Sequence, residues 1–357
     1  MTELDAMRRA IQLAWQGWGR VAPNPLVGAV VLREGNVIGE GFHAEFGHRH
    51  AEAAALEGVG TGAEGATLVV SLEPCAHHGK QPPCTELVIQ HGLARVVVAM
   101  ADPNPVAAGG LDLLRAHGIT VELGVMQAEA ESQNASFLHQ FKGLRRPFVA
   151  LKLSTSLDSR IADRAGSSRW ISGPEAREYV HWLRAGFDAI GVGGRTARVD
   201  DASLTVRGEL VPRCTPKRVV FTRTGELSPT SRLLMTTTEA PVILARSGAG
   251  SLGMMDYADA AGVTVIQGEE LAELLSKLWQ SGVTSILIEG GGELAGSLLA
   301  GGLVDRFYWI QAPVWLGDRA IPAFQGVPAP LLGAADRWHV AERRPLGADT
   351  LLVLDRR

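Results

Sequence analysis

Cysteine is scarce in this chain: three in 357 residues. An odd, small number does not build a disulfide framework, and reduced thiols fit the cytoplasm. No apolar run reaches 18 residues, and the N-terminus opens on an amphipathic, charged stretch. Neither a membrane span nor a signal peptide is expected. Long runs of lysine and arginine are missing too, and the net charge is −4. A nucleic-acid binder normally carries a basic face, so a small-molecule substrate is favoured and no nucleic acid is expected. What remains is 46% hydrophobic against 20% charged residues, the balance of a globular protein with sizeable cores. The length favours two domains.

Two of the three cysteines lie near a histidine and a carboxylate. His50-Ala51-Glu52 is followed by Glu73-Pro74-Cys75 and, after Ala76-His77-His78-Gly79-Lys80-Gln81-Pro82-Pro83, by Cys84. One imidazole and two thiols match a catalytic zinc, which takes three protein ligands and leaves a position for water. With His50, Cys75 and Cys84 on the metal, Glu52 is left to move protons. His-x-Glu followed by Pro-Cys-x-x-Cys is the zinc deaminase pattern; here the second cysteine is delayed by six residues. Two blander readings stand beside it. The thiols are small buried hydrophobes, or the metal is a closed scaffold site with His77 or His78 as fourth ligand. The joint match, in the right order, favours the catalytic set and leaves both histidines as loop residues.

The elements around these residues alternate. Leu4 to Trp18 has helical spacing. Pro23-Asn24-Pro25-Leu26-Val27-Gly28 is a rigid, extended loop that presents the Asn24 amide. Val27–Leu32 and Val37–Gly41 read as strands around a Glu34-Gly35-Asn36 turn, with His43 just beyond. His50 to Leu56 opens a helix. The strand Ala66–Leu72 delivers Glu73-Pro74-Cys75, and Cys84 begins a helix, where the backbone dipoles favour thiolate. The strand Arg95–Met100 ends in a second proline-framed loop, Asp102-Pro103-Asn104-Pro105. Leu111–His117 and Ala128–Leu138 read as helices and Ile119–Leu123 as a strand. This alternation gives an α/β three-layer sandwich with its site at strand ends.

Lys142-Gly143-Leu144-Arg145-Arg146-Pro147 breaks the pattern, and the boundary falls there: residues 1–144 and 145–357. A second α/β pattern follows. Its strands read as Phe148–Leu153, Ala189–Val192, Arg218–Phe221, Val242–Ala245, Val263–Ile266, Ser285–Glu289 and Arg306–Gln311. Pro174–Ala185, Leu271–Trp279 and Glu293–Leu299 read as helices, and Arg337–Glu342 with Thr350–Leu354 as an antiparallel finish. Two strand–glycine turns stand out, Gly191-Val192-Gly193-Gly194-Arg195-Thr196 and Glu289-Gly290-Gly291-Gly292-Glu293-Leu294. Glycines let backbone approach phosphate, and a helix N-terminus favours negative charge. Neither turn is Gly-x-Gly-x-x-Gly, so a Rossmann fingerprint is lacking. Tight turns alone would also explain them.

These motifs together resemble the bacterial bifunctional riboflavin-biosynthesis family, diaminohydroxyphosphoribosylaminopyrimidine deaminase/5-amino-6-(5-phosphoribosylamino)uracil reductase. The resemblance rests on Pro-Asn-Pro-x-Val-Gly at 23–28, His-Ala-Glu at 50–52, Glu-Pro-Cys-x-His-x-Gly-Lys-x-Pro-Pro-Cys at 73–84 and Asp-Pro-Asn-Pro at 102–105. The long inter-cysteine loop separates this family from cytidine deaminases. In the second half, Lys152-x-x-x-Ser156-Leu157-Asp158, Ser168-x-Trp170-Ile171-Ser172, Leu183-Arg184-Ala185, Thr196 with Asp200-Asp201, Leu204-Thr205-Val206-Arg207 and Glu289-Gly290-Gly291 are similar to the reductase.

The resemblance implies a cytidine-deaminase-like sandwich followed by a dihydrofolate-reductase-like domain. It implies zinc and NADPH as cofactors, a phosphorylated pyrimidine as substrate, and a cytoplasmic homo-oligomer. Asn24, His43, Lys80, Asp102 and Asn104 would hold the deaminase substrate. Ser154, Trp170, Thr196, Asp200, Gly291, Gly292, Glu293 and Leu294 would bind NADPH. Lys152, Ser168, Arg184, Leu204, Arg207 and Glu289 would bind the reductase substrate, with two arginines suited to its phosphate. The chain departs from the family at Ser159, usually glycine; at Ala202, usually proline; and at Thr222-Arg223, where an Asp-Ser-like pair is common. Arg223, a cation just past a strand, is a candidate for the NADPH 2′-phosphate. Cys214 has no assigned role. The rivals are a nucleic-acid base deaminase, a zinc-stabilised scaffold and a deaminase with a silent reductase half. The first expects stacking aromatics near the metal loop, where only Phe42 and Phe46 occur.

Overall fold

The computed structural model of the chain describes residues 1–248 and 262–356. It divides into two units, Met1–Gly143 and Leu144–Arg357. Among the described residues no helix is long and apolar enough to cross a membrane.

In the first unit, α1 (Glu3–Ala14) is capped by Thr2, whose hydroxyl accepts from Asp5 N–H at 3.1 Å. Its inner stripe buries Ala6, Met7, Ala10 and Leu13. The helix expected to reach Trp18 stops at Ala14 and tightens into a 3₁₀ turn, Trp15–Gly17. A Cβ at Gly17 would lie 2.5 Å from the His43 carbonyl, so the chain turns where only glycine lets it pass. Strands β1 (Gly28–Arg33) and β2 (Asn36–Phe42) form the expected hairpin. Glu34 and Gly35 both take positive φ, the turn that matches strand twist.

Then come α2 (Ala51–Leu56), β3 (Thr67–Leu72), α3 (Cys84–Gln90), β4 (Arg95–Met100), α4 (Gly110–Ala116) and β5 (Thr120–Leu123). The sheet order is β2-β1-β3-β4-β5. β1 is antiparallel to both neighbours, and β3, β4 and β5 are parallel. Gly28 packs on Ala10 and Ala14 of α1, while Gly41 packs on Ala51 and Ala55 of α2. Adjacent strand positions thus meet helices on opposite faces, giving the three layers. Strands covered on both sides read as nearly continuous apolar runs, as Leu68–Val70 and Val96–Ala99 do. The parallel strands end together, and their loops, residues 73–83 and 101–109, carry the proline motifs. The single helix expected over Ala128–Leu138 is instead two, α5 (Gln127–Gln133) and α6 (Ala135–His139), broken at Asn134.

The second unit is built from β6 (Phe148–Thr155), β7 (Arg160–Ala162), α7 (Pro174–Arg184), β8 (Ala189–Gly193), α8 (Gly194–Asp200), β9 (Lys217–Thr222), α9 (Arg232–Met235), β10 (Val242–Ser247) and β11 (Thr264–Gly268). It continues with α10 (Leu271–Gln280), β12 (Ser285–Glu289), α11 (Gly292–Ala300), β13 (Arg306–Gln311), β14 (Ile321–Pro322), β15 (Trp338–Leu346) and β16 (Asp349–Arg356). A nine-stranded sheet runs β11-β10-β9-β8-β12-β6-β13-β16-β15. It is parallel from β11 through β13, and β16 and β15 close it antiparallel. The central strand β12 is buried along its whole length and ends on Glu289.

Two features of the second unit differ from the sequence reading. Gly193-Gly194 is no isolated turn: Gly193 caps α8, which starts at Gly194. The short strands β7 and β14 pair only with each other, across a long loop, and left no periodic pattern to find.

Candidate functional site

His50, Cys75 and Cys84 converge. His50 is the N-cap of α2, Cys84 opens α3, and Cys75 lies just past the end of β3. His50 Nδ1 is 3.3 Å from Cys84 Sγ and 3.6 Å from Cys75 Sγ. Cys84 N–H donates to Cys75 Sγ at 3.4 Å. Among the described residues this is the one cluster of three such side chains, with all ligand atoms within 4.8 Å of one another. A tetrahedral zinc with bonds of about 2.0–2.3 Å holds its ligand atoms roughly 3.5 Å apart. Both spacing and donor chemistry therefore fit zinc. His77 and His78 stand outside the cluster; His78 Nε2 lies 3.3 Å from Glu86.

The two thiols are hydrogen-bonded to each other and shift in opposite directions. A hydrogen bond from Cys84 draws the Cys75 thiol down to about 4, and the same contact pushes Cys84 up. His50 is raised by its hydrogen bond with Cys75. Glu52, one helical position beyond Ala51, is 3% exposed. Burial pushes its carboxyl up to about 7, against the pull of His50. A carboxyl poised near neutrality both takes and returns a proton.

Around this cluster lie the other first-half residues. His43 is buried and packs edge-on against His50, ring centroids 5.5 Å apart. Its Nδ1 meets the Arg49 carbonyl at 2.9 Å and its Nε2 meets Asn24 Nδ2 at 3.1 Å. A carbonyl only accepts, so Nδ1 carries the proton and Nε2 accepts from Asn24. Burial lowers the His43 pKa, consistent with a neutral ring. Asn24 keeps Oδ1 and one N–H for another partner. Lys80 Nζ lies 4.0 Å from the Phe46 ring centroid, beside Gly47 in the loop that joins His43 to His50.

Asp102 and Asn104 sit on the loop after β4. Asp102 Oδ1 accepts from Asn104 N–H at 2.9 Å, and Asn104 Oδ1 from Val106 N–H at 3.1 Å. Burial raises the Asp102 carboxyl, with Glu73 and Cys75 adding to the rise. Glu73 was part of the motif but had no role assigned. Buried, it accepts from the N–H groups of Asp102 at 3.0 Å, Gly109 at 3.0 Å and Leu111 at 3.2 Å, and so fixes this loop. Asn134 was also missed, because its contact is 108 residues away in sequence.

In the second unit a cleft of about 1350 Å³ opens along the strand ends. All of Lys152, Ser154, Ser168, Trp170, Arg184, Thr196, Asp200, Leu204, Arg207, Glu289, Gly291, Gly292, Glu293 and Leu294 line it. Ala202, Thr222 and Arg223 line it too. Two observations suit a nucleotide cofactor. Ser154 Oγ is buried and has no partner. Gly290 and Gly291 take φ of 70° and 82°, which strain any other residue. A Cβ on Gly291 would lie 3.0 Å from Thr196 Oγ1, and one on Gly292 would lie 2.7 Å from the Pro322 carbonyl. Packing thus demands glycine at both positions, and both line the cleft at the start of α11, where a helix N-terminus favours negative charge. Trp170 is 70% exposed, with Arg177 over its ring at 4.7 Å. Burial raises Asp200.

Arg184 is committed to Glu289. Nε donates to Oε1 at 2.5 Å and Nη2 to Oε2 at 2.9 Å, while Nη1 donates to the Thr205 carbonyl at 2.8 Å. Burial would raise Glu289, but Arg184, with Lys152 and His181, outweighs it and holds the carboxylate down. Burial lowers the neighbouring Lys152. Arg207 is exposed and donates to the hydroxyls of Ser203 at 2.6 Å and Thr205 at 3.4 Å. His181, one turn before Arg184, also lines the cleft and was not foreseen.

Comparison with known proteins covers both units. Residues 1–100 match the model for the cytidine and deoxycytidylate deaminase zinc-binding region, and residues 147–352 that for the RibD C-terminal domain. The riboflavin biosynthesis protein RibD of Escherichia coli is 38% identical over 98% of both chains. That of Haemophilus influenzae is 38% identical over 97% of this chain and 95% of its own. Among solved structures, Acinetobacter baumannii RibD (form 1) matches with a TM-score of 0.82 at 36% identity. The Thermotoga maritima deaminase/reductase matches with a TM-score of 0.83 at 34% identity. Both cover 99% of each chain.

Proposed function

The chain belongs to the RibD family, the bifunctional deaminases and reductases of riboflavin biosynthesis, and we propose that residues 1–144 carry the deamination and 145–357 the reduction. The first reaction removes ammonia hydrolytically from 2,5-diamino-6-ribosylamino-4(3H)-pyrimidinone 5′-phosphate. The second reduces the ribosyl group of 5-amino-6-(5-phosphoribosylamino)uracil to ribityl. The observation that carries this reading is the buried Glu52 beside the His50, Cys75 and Cys84 donor set.

Zinc held by those three residues supplies Lewis acidity that makes water nucleophilic near neutral pH. Glu52 takes the water proton and returns it first to the ring nitrogen and then to the departing amine. Asn24, braced by His43, offers its free acceptor and donor to the pyrimidine edge. Lys80 is a point charge for the phosphate. Asp102 and Asn104 complete the substrate's surroundings.

In the second unit a bound NADPH would supply the hydride needed to reduce the open-chain ribose. The Gly291-Gly292-Glu293-Leu294 turn receives a cofactor phosphate at the N-terminus of α11. Ser154, Trp170, Thr196 and Asp200 hold the rest of the cofactor. Lys152, Ser168, Leu204 and the Arg184–Glu289 pair bind the substrate. Arg207, the exposed cation, meets its phosphate. The protein acts in the cytoplasm, where the Cys75 and Cys84 thiols stay reduced. It works on small molecules rather than nucleic acid, in keeping with its net charge of −4. It is a homo-oligomer, to which exposed Trp315, Leu331 and Leu332 offer apolar surface.

The test supplies the pyrimidine phosphate and NADPH to the purified protein and follows ammonia and nicotinamide absorbance separately. Ammonia appears first, and NADPH is consumed only as deaminated product accumulates. NADPH oxidation without ammonia release contradicts this order.

A further inference from the structure

We propose that Asn134 is a positioning residue of the deaminase, setting the loop that presents Asn24; this rests on the reading of Asn24 as a substrate ligand. Asn134 is 3% exposed and sits where one helix ends and the next begins. Its Oδ1 accepts from Leu26 N–H at 2.8 Å, and its Nδ2 donates to the Leu26 carbonyl at 3.0 Å. The second Nδ2 hydrogen goes to the Ala130 carbonyl at 3.3 Å. The amide thus pairs with Leu26 as a neighbouring strand would.

Leu26 has need of that partner. It lies outside the ladder, which begins at Gly28, and it is 5% exposed. Water does not reach its backbone, so losing Asn134 leaves two buried polar groups unpaired. Pro25 separates Leu26 from Asn24 with a fixed φ. A shift at Leu26 is therefore passed to Asn24 rather than absorbed. On its other side Asn24 is tied by its N–H to the Val21 carbonyl at 2.9 Å and by its side chain to His43. Asn134 completes the frame from a distant part of the chain. Its side-chain hydrogen bonds go to Leu26 and Ala130, not to Asn24 or the metal ligands, so its effect falls on substrate binding.

The test measures deaminase KM and kcat, zinc content and KM for NADPH in Asn134→Leu, Asn24→Ala and the double variant. Leucine keeps the volume and removes the hydrogen bonds. The expected result is a deaminase KM raised on the order of tenfold or more in Asn134→Leu, with kcat changed less and with zinc and NADPH binding as in wild type. The double variant is no worse than Asn24→Ala alone, because both changes act through one side chain. A wild-type KM in Asn134→Leu beside a raised KM in Asn24→Ala overturns the positioning role. A wild-type KM in both overturns the reading of Asn24 and the inference with it. Fully additive effects also overturn it. If Asn134→Leu loses zinc or its cooperative melting, Asn134→Asp decides. It is isosteric and still accepts from Leu26 N–H. A KM raised with zinc retained supports the role, and a wild-type KM overturns it.

Discussion

Ser159 holds a conformation that favours glycine. Its φ is 57°, in the left-handed region, where a Cβ costs about 1–2 kcal/mol. Part of that gain is lost to the greater freedom of an unfolded glycine. Ser159→Gly should therefore stabilise the second unit by about 0.5–1 kcal/mol, read as a higher urea midpoint at unchanged slope. Its neighbour Asp158 gives a pH dependence. Burial would raise this carboxyl, yet hydrogen bonds from Ser156 Oγ, Leu316 N–H and Gly317 N–H hold it down at about 2. The folded value lies below the unfolded value of about 3.9. The stabilisation is therefore complete above roughly pH 4 and fades as pH falls towards 2. Asp158→Asn should unfold more easily than wild type at pH 7, with the two urea midpoints converging near pH 2. Arg223 faces the cleft from the end of β9 and is exposed. Arg223→Ala should raise KM for NADPH about tenfold and leave that for NADH unchanged, so equal effects on both would remove it from the 2′-phosphate.

At the level of the element, the turn into α11 is where the proposed cofactor site can be tested. A Cβ at Gly291 meets Thr196 and must adopt φ of 82°. Gly291→Ala is expected to raise KM for NADPH by on the order of tenfold or more while zinc content and deamination stay at wild-type values. This turn was legible because strand, glycines and helix follow one another in the chain. So was the metal set, since each donor sits at the start of a helix or just past a strand end that short-range pattern defines. The hairpin at Glu34-Gly35 was legible for the same reason. What escaped depends on distant partners. The break at Asn134 interrupts a run that is periodic enough for one helix, and at the break the Asn134 side chain pairs with Leu26. Arg184 read as a phosphate clamp, but Glu289, 105 residues on, occupies its fork. Glu73 looked like part of a metal motif and instead holds the loop after β4. In each case the side-chain type was visible and the competing partner was not.

At the scale of the whole molecule, two units with separate cores carry two chemistries. The candidate metal cluster lies at parallel strand ends, with His50 and Cys84 at helix starts. The cleft of the second unit likewise opens at strand ends, and the residues proposed for the reductase line it.

In the proposed deamination Glu52 moves protons beside a zinc held by His50, Cys75 and Cys84. This role is tested most directly in Glu52→Gln, by measuring ammonia release, bound zinc and NADPH oxidation on separately supplied deaminated substrate. The expected outcome is zinc at the wild-type level, intact reduction and deamination lowered by on the order of 10²-fold or more. Deamination near the wild-type rate, with zinc in place, would contradict it.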